Sequence, residues 1–577
     1  MKSKIYQEIE YIYGKGQAEG LVERVRKVLQ KWEPSLQTIN KESESSLAVT
    51  EEDSVLITYG DQFQSSGHKP LEVLMDFMTD QYKDILSTIH ILPFSPWSSD
   101  DGFSVIDYRE VKKEWGQWSH VEQLSQSFDL MFDLVLNHCS SESSWFQDFL
   151  QQKIPYDEYF ICVDPKTDLS KVVRPRALPL LSPYHTASGT KYLWTTFSKD
   201  QVDLNFANPN VLIEFIDIIL LYISKGARII RLDAIAYLWK EVGTSCIHHP
   251  KTHSFVRLMR AILDKVAPGV LILTETNVPH KENISYFGNG TNEAHMVYQF
   301  SLPPLTLHAF ITGNTGFLQK WAMSLPQPDG KKTYFNFLAS HDGIGVTPAK
   351  GILDEEELSK VYKAVMERGG LISYKDTTNG PIPYELNINY FDAVSEKELD
   401  KSQRSAKFLT SQAIMLAMAG IPGIYVHSLL GSENDHEGVS QSGINRRINR
   451  AKFKMKDLNK ELKQKGSLRS LISEGYKTLL TARRREISFH PKSLQKILRT
   501  NNSVFAFVRG RGDSSILCIH NVTGNYTNLL IKKSDVPDFR GSGYNIITQK
   551  KQELVEKKQE WEFDLEPYDV IWMRFTP

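Results

Sequence analysis

The sequence predicts an α/β fold, a (β/α)8 TIM barrel with inserted subdomains, an N-terminal helical extension and a C-terminal all-β domain. Three observations carry that expectation. Eight short β-rich runs follow one another between residues 55 and 426. Segments with helical spacing separate most of them, for example 71–86 and 252–266. Several of the runs are apolar on consecutive residues, as parallel strands covered on both faces should be. A length of 577 residues also suits more than one domain.

Residues 1–50 precede the first strand signal. Leu21, Val25, Val28, Leu29 and Trp32 recur at helical spacing, which predicts an amphipathic helix packed on something larger. KESESS (41–46) reads as a linker. The barrel is expected over 51–490, with strands at VLITY (55–59), IHILP (89–93), LMFDLVLN (130–137), ARIIRLD (227–233), VLILTE (270–275), MVYQF (296–300), FNFLAS (335–340) and IPGIYV (421–426). Two gaps, about 140–200 and about 344–400, are too long for simple connections and are expected to be inserted subdomains. A Lys/Arg-rich helical region (451–490) closes the barrel, and alternating runs across 491–577 predict a small β domain.

Composition excludes several function classes. With 41% hydrophobic and 24% charged residues the chain can bury a core, so disorder is excluded. A net charge of −1 gives no reason to expect nucleic acid or an anionic bilayer as a partner. The most apolar stretch, FIDIILLYI (215–223), includes Asp217 and is far shorter than the roughly 20 residues a membrane span needs. Cys139, Cys162, Cys246 and Cys518 are scattered without a CxxC pair, and the N-terminus shows no apolar leader. A cytoplasmic protein active on small molecules is the expectation, with a homodimer as the candidate assembly.

In such a barrel the catalytic candidates stand at the C-terminal ends of strands. Those positions give Asp100, Asp101 and Phe103 after the second strand and Asp133, Asn137 and His138 at the third. They give Arg231 and Asp233 at the fourth, Glu275 at the fifth, and His341 and Asp342 at the seventh. Asp233, Glu275 and Asp342 therefore converge from three strands. A retaining glycosyl mechanism needs two carboxyl groups about 5–5.5 Å apart, one to attack the anomeric carbon and one to protonate the leaving oxygen. Arg231, two residues before Asp233, shares its face of the strand and is expected to keep that carboxylate ionised. Glu275 is expected to be protonated, its pKa raised by burial and neighbouring acids. The residues alone leave three readings open: glycosyl chemistry, a divalent metal site and structural ion pairs.

DLVLNH (133–138), RLDAIAY (231–237), ILTET (272–276) and FLASHDGIG (337–345) resemble the four signature segments of the α-amylase superfamily, in order and at the right strand ends. KEVGTSC (240–246), SHDGIG (340–345) and RPRALP (174–179) resemble its sucrose phosphorylase subfamily, and ILPFSPWSSDDGFSVIDY (91–108), WTTFSKDQVDLN (194–205) and GINRRINR (443–450) extend the likeness over about 54–577. The resemblance implies Asp233 as nucleophile, Glu275 as general acid/base and Asp342 as stabiliser of the oxocarbenium-like state. It places Asp100, His138, Arg231, His341 and Arg446 around the glucosyl subsite, with Phe103 and Phe197 as apolar walls. Tyr237 and Arg176 would face the acceptor, with Arg174 beside them and Tyr384 and Glu385 on the second insertion. Inorganic phosphate would take up the glucosyl group, and no cofactor or metal is implied.

Within the subfamily, Asn277 replaces an expected histidine and Glu385 an expected glutamine. Together with MVYQFSLPPLTLHA (296–309) and the N-terminal extension, these departures resemble the glucosylglycerate phosphorylases more than the sucrose phosphorylases. Glycerate would then be the leaving acid; a sucrose or sucrose 6'-phosphate phosphorylase is the alternative, an α-glucosidase or transglucosylase a more distant one. All three carboxylates stand, which speaks against a catalytically dead sugar-binding relative. Cys246, His248, His249 and His253 have no standard zinc spacing and read as a loop shaping the acceptor site. Arg511-Gly512-Asp513 reads as a hairpin turn, Asp354 to Glu357 as a helix start, and Lys452 to Lys465 as a solvated helical face.

Overall fold

The computed structural model describes residues 3–36, 49–175, 178–377, 380–539 and 541–575; the expected linker at 41–46 lies outside them. Eight parallel strands close a barrel in chain order: β1 (Val55–Thr58), β2 (Thr88–Ile91), β3 (Asp129–Leu134), β4 (Ala227–Leu232), β5 (Leu271–Thr274), β6 (Met296–Tyr298), β7 (Thr333–Phe337) and β8 (Ile421–Tyr425). Closure is made by β8 on β1, with Val55 opposite Gly423 and Ile57 opposite Tyr425. Every residue of β1, β2, β5, β6, β7 and β8 is buried, because side chains fill the barrel on one face and helices cover the other. The seventh strand starts and ends earlier than 335–340, its pairing with β8 ending at Phe337, so His341 and Asp342 stand in the loop beyond it.

Before the barrel come α1 (Lys4–Tyr13) and α2 (Lys15–Leu36). Ser3 caps α1 by accepting the Tyr6 N–H, and Gly14, at φ 84°, separates the two. Leu21, Val25 and Leu29 are buried as the spacing predicts, with Val28 and Trp32 half-buried. They pack on the barrel's own helices, α3 (Pro209–Ser224) and α4 (Pro250–Val266). Polar contacts fix the docking: Trp32 Nε1 donates to Asp217 Oδ1 at 2.8 Å, and Arg257 Nε to Glu8 Oε1 at 3.0 Å. Asp217, the one acid in the apolar 215–223 run, is thus a docking residue.

The segment after β3 folds into a helix (Ser144–Leu150), a hairpin (Leu181–Thr186 with Gly189–Trp194) and a short pair, His138–Ser140 with Gln201–Asp203. After β7 comes an antiparallel sheet in the order Ile344–Gly345, Gly380–Asn387, Leu371–Thr377, with a helix (Glu355–Glu367) capped by Asp354. Residues 495–575 form a six-stranded and a three-stranded sheet whose inner faces meet across Leu517, Ile519, Trp561 and Phe563. The turn Gly512–Ser514 joins two antiparallel strands, so Arg511-Gly512-Asp513 lies in a hairpin connection. Lys452 departs from the expected solvated face. It precedes the helix Met455–Lys463, and its ammonium lies 2.5 Å from Asp61 Oδ1 and 4.2 Å from the Tyr59 ring centre.

Candidate active site

The ends of β3 and β4 build the centre. In their ladder Asp133 lies opposite Arg231, and the guanidinium, buried below the cavity floor, reaches two carboxylates at once. Arg231 Nη1 bonds Asp133 Oδ1 closely and Asp233 Oδ1 at 2.8 Å, while His90 holds the other Asp133 oxygen at 2.7 Å. The guanidinium is thus divided between two carboxylates, and its hold on Asp233 is opposed by burial. Against burial, which would raise it, Arg231 and His90 bring Asp133 down to about 2. In Asp233 burial wins over Arg231, aided by Glu275, Asp133 and Asp342, and the carboxyl is pushed up to about 8.

Chain geometry then brings Glu275 to the same spot. Ala234, directly after Asp233, takes a left-handed conformation (φ 49°) that costs a residue with a Cβ on the order of 1 kcal/mol. The strain turns the Ala234 N–H towards Glu275 Oε2, 3.0 Å away at the end of β5. Burial and Asp342 raise the Glu275 carboxyl in spite of Arg231 and that N–H. Two neighbouring buried carboxyls cannot both ionise cheaply, so they titrate as a pair that keeps a proton to higher pH.

Asp342 behaves differently. Arg446 Nη1 lies 2.5 Å from its Oδ1, and against burial Arg446, His341 and Arg450 hold the carboxyl well below the usual range. Arg446 also grips Glu385 of the second insertion with two bonds, 3.0 and 2.6 Å. His341 stacks on Phe103 with ring centres 4.7 Å apart and planes 6° from parallel. Burial lowers His341 and His138 to about 3 and about 4, so both rings are neutral at pH 7. His138 Nε2 lies 2.8 Å from the Phe103 carbonyl. Asp100 and Asp101 both have positive φ (52° and 50°), and Asp101 is tied to Arg447 and Arg450 at 2.6 Å each. Gly102, at φ 114°, completes that tight turn; a Cβ there would stand 2.5 Å from the Pro93 carbonyl oxygen.

One cavity of about 250 Å³ gathers nearly every residue singled out by the sequence: Asp100, Phe103, His138, Phe197, Asp233, Tyr237, Glu275, Asn277, His341, Asp342, Tyr384, Glu385 and Arg446. Phe197 bridges His138 and Tyr237, with ring centres 5.2 and 5.7 Å away. Arg231 is not on the cavity surface but beneath it, and Arg176 lies outside the described residues. The sequence reading missed Gln201, Glu282, Thr347 and Lys375, which also line the cavity. Gln201 had a signal, since it sits in WTTFSKDQVDLN, and its amide lies 3.2–3.3 Å from His138, Asp100 and the Phe103 carbonyl. Lys375 had none.

The residues that resemble metal ligands are engaged elsewhere. Cys246 Sγ bonds the Glu241 carbonyl, His248 contacts Glu282 and Tyr286, and His253 contacts Glu293. Between Asn137 and Asp203, the Lys240 ammonium sits 2.6 Å from each. The 240–248 loop does border the cavity, through Ile247, and the Val173 N–H donates to the Ser245 carbonyl at 3.0 Å, tying the first insertion to it.

A parallel eightfold barrel with three carboxyl groups at its mouth is the frame of an α-amylase-type glycosyl enzyme, and residues 84–344 match the family model for the α-amylase catalytic domain. The fold is similar to the crystal structure of a sucrose 6F-phosphate phosphorylase from Thermoanaerobacter thermosaccharolyticum, with a TM-score of 0.72 at 24% identity over 91% of this chain and all of that one. Two relatives are much nearer in sequence. A glucosylglycerate phosphorylase from Spirochaeta thermophila is 50% identical over 98% of this chain and 97% of its own. One from Escherichia coli is 44% identical over the full length of both. The chain belongs to the glucosylglycerate phosphorylase family, whose members are glycosyltransferases built on the α-amylase barrel.

Proposed function

We propose that the enzyme reversibly cleaves 2-O-α-D-glucosyl-D-glycerate with inorganic phosphate, giving α-D-glucose 1-phosphate and D-glycerate with retention at the anomeric carbon. The observation that carries this reading is the meeting of Asp233, Glu275 and Asp342 in one cavity of a chain so similar to phosphorylases of that name. Asp233 is the nucleophile and Glu275 the acid. The shared proton belongs to Glu275, because Asp233 alone receives a direct bond from the guanidinium. In the first step the Asp233 oxygen bonds to C1, the bond from C1 to the glycerate oxygen breaks, and the Glu275 proton passes to that oxygen. In the second, a phosphate oxygen bonds to C1, the Asp233 ester breaks, and the phosphate proton returns to Glu275.

Asp342, kept ionised by Arg446, opposes the positive charge that develops on the sugar. Neutral His138 and His341 and the Asp100 carboxylate are placed to hydrogen-bond the glucosyl hydroxyls, while Phe103 and Phe197 wall off water. Asn277, Tyr237, Tyr384 and, by the sequence resemblance, Arg176 face the acceptor. Free cysteines and small ionic substrates support a cytoplasmic location. The test compares glucosylglycerate with sucrose, with and without phosphate. Phosphate-dependent glucose 1-phosphate from glucosylglycerate is expected. Faster release from sucrose would overturn the acceptor assignment, and free glucose formed without regard to phosphate would make the enzyme a hydrolase.

A further inference from the structure

The cavity is acidic, yet both the leaving group and the attacking group in the proposed reaction are anions. Six carboxyl-bearing residues line it: Asp100, Asp233, Glu275, Glu282, Asp342 and Glu385. Among the described residues, the cations on its surface are Arg174, Lys375 and Arg446. Arg446 is already neutralised by Asp342 and Glu385, and the Arg174 guanidinium donates to the Leu178 carbonyl. Arg231 beneath the floor is taken by Asp133 and Asp233. Among the described residues, Lys375 has no hydrogen-bond or ion-pair partner.

Local structure explains how Lys375 reaches the cavity. It lies on the strand Leu371–Thr377, opposite Ile382 of Gly380–Asn387. The register of this hairpin jumps between Ser373 and Tyr374: Ser373 stands opposite Glu385 and Tyr374 opposite Pro383, so the register skips Tyr384, whose carbonyl accepts the Val346 N–H at 3.1 Å. Such a bulge re-aims side chains. It lets the consecutive residues Tyr384 and Glu385 both line the cavity, which regular alternation would forbid. Burial and the nearby Lys350 both lower the Lys375 pKa, so its ammonium sits half-desolvated beside a like charge, a situation that an incoming anion relieves.

We infer that Lys375 is the specificity cation of the acceptor subsite, holding the carboxylate of the departing acid in the first step and the attacking phosphate in the second. The inference rests on the phosphorylase reading and adds to it the residue and the ligand class, a small carboxylate or phosphate anion. One point charge can serve both, because the two anions occupy the site in turn and neither demands the fixed fork of a guanidinium.

The test is Lys375→Met, with Lys375→Arg beside it. The KM for phosphate, and the KM for D-glycerate in the reverse direction, should both rise about 10- to 100-fold, the range for loss of one charged hydrogen bond. The preference of the wild type for D-glycerate over uncharged glycerol should collapse, and Lys375→Arg should recover part of it. Fluoride release from α-D-glucosyl fluoride, a half-reaction with neither carboxylate nor phosphate, should change by less than about threefold. Unchanged KM values for both anions would overturn the inference. An equal loss in fluoride release would overturn it too, since Lys375 would then serve the glucosyl site or the fold. A wild-type enzyme indifferent to phosphate refutes the parent reading directly, before any variant is made.

Discussion

Asp233 and Glu275 follow strands that are paired on both sides within a closed barrel, whereas Lys375 and Tyr384 hang from a hairpin. That hairpin reaches the barrel through the short pairing of Ile344 and Gly345 and through the Glu385–Arg446 ion pair. The floor is fixed by the same packing that makes the fold, so its geometry cannot vary without unfolding the barrel. The wall is a small sheet with its own register and a bulge, so barrel closure does not dictate its shape. The difference separates two tasks. In the proposed mechanism the floor takes up a glucosyl group with its configuration retained, and the wall selects which anion brings or removes it. Arg446 joins them, with one hand on Asp342 and the other on Glu385.

The largest effect should come from the floor. Asp233→Asn removes the nucleophile and should cut both phosphorolysis and fluoride release by about four orders of magnitude. Glycerate and phosphate should still bind, as competitive binding measurements can show; retained turnover would end the assignment. Glu275→Gln separates the substrates instead. Glucosylglycerate, whose alkoxide leaves poorly, should lose about 100- to 10,000-fold in kcat/KM, while glucosyl fluoride, which needs no proton, should lose far less. The same proton sets a pH limb. Activity requires the protonated pair, so kcat/KM should fall as pH rises past the point, above the usual carboxylate range, at which that proton is lost, and the limb should be missing in Glu275→Gln with glucosyl fluoride. Equal losses on both substrates would remove Glu275 from its acid role.

The floor was legible in the sequence for a physical reason. Parallel strands buried on both faces are marked by apolar runs, and what stands just past each run is forced to the barrel mouth. Asp233, Glu275 and Asp342 follow from that rule before any family resemblance is used. Spacing by two even gave the contact between Arg231 and Asp233. It could not give the sharing of Arg231 with Asp133, which depends on the register between strands 98 residues apart. Nor could it give the burial that opposes Arg231 at Asp233, which depends on how the barrel mouth packs. The wall was poorly legible because a lysine in a polar hairpin carries no periodic signal. Whether Lys375 meets solvent or cavity depends on the bulge at Tyr384, and a ladder register is a property of two strands rather than one.

The smallest effect, and the one of opposite sign, should come from Glu385→Gln. The amide keeps the shape of the carboxylate and one acceptor for Arg446, but removes a negative charge from the wall beside the proposed anion site. Arg446 then has one carboxylate to neutralise it instead of two. If the wall works by charge, the KM for phosphate should fall by about threefold, the effect of one moderately screened charge. Glucosyl fluoride serves as the reference that registers any disturbance of Asp342. A rise in the KM for phosphate would mean that the ion pair matters more for holding the hairpin in place than for the field it creates. Floor and wall would then be mechanically coupled through Arg446, and the separation of their tasks would fail at that residue. A fall confined to phosphate and glycerate, opposite in sign to Lys375→Met, would make charge the property by which this wall selects its acceptor.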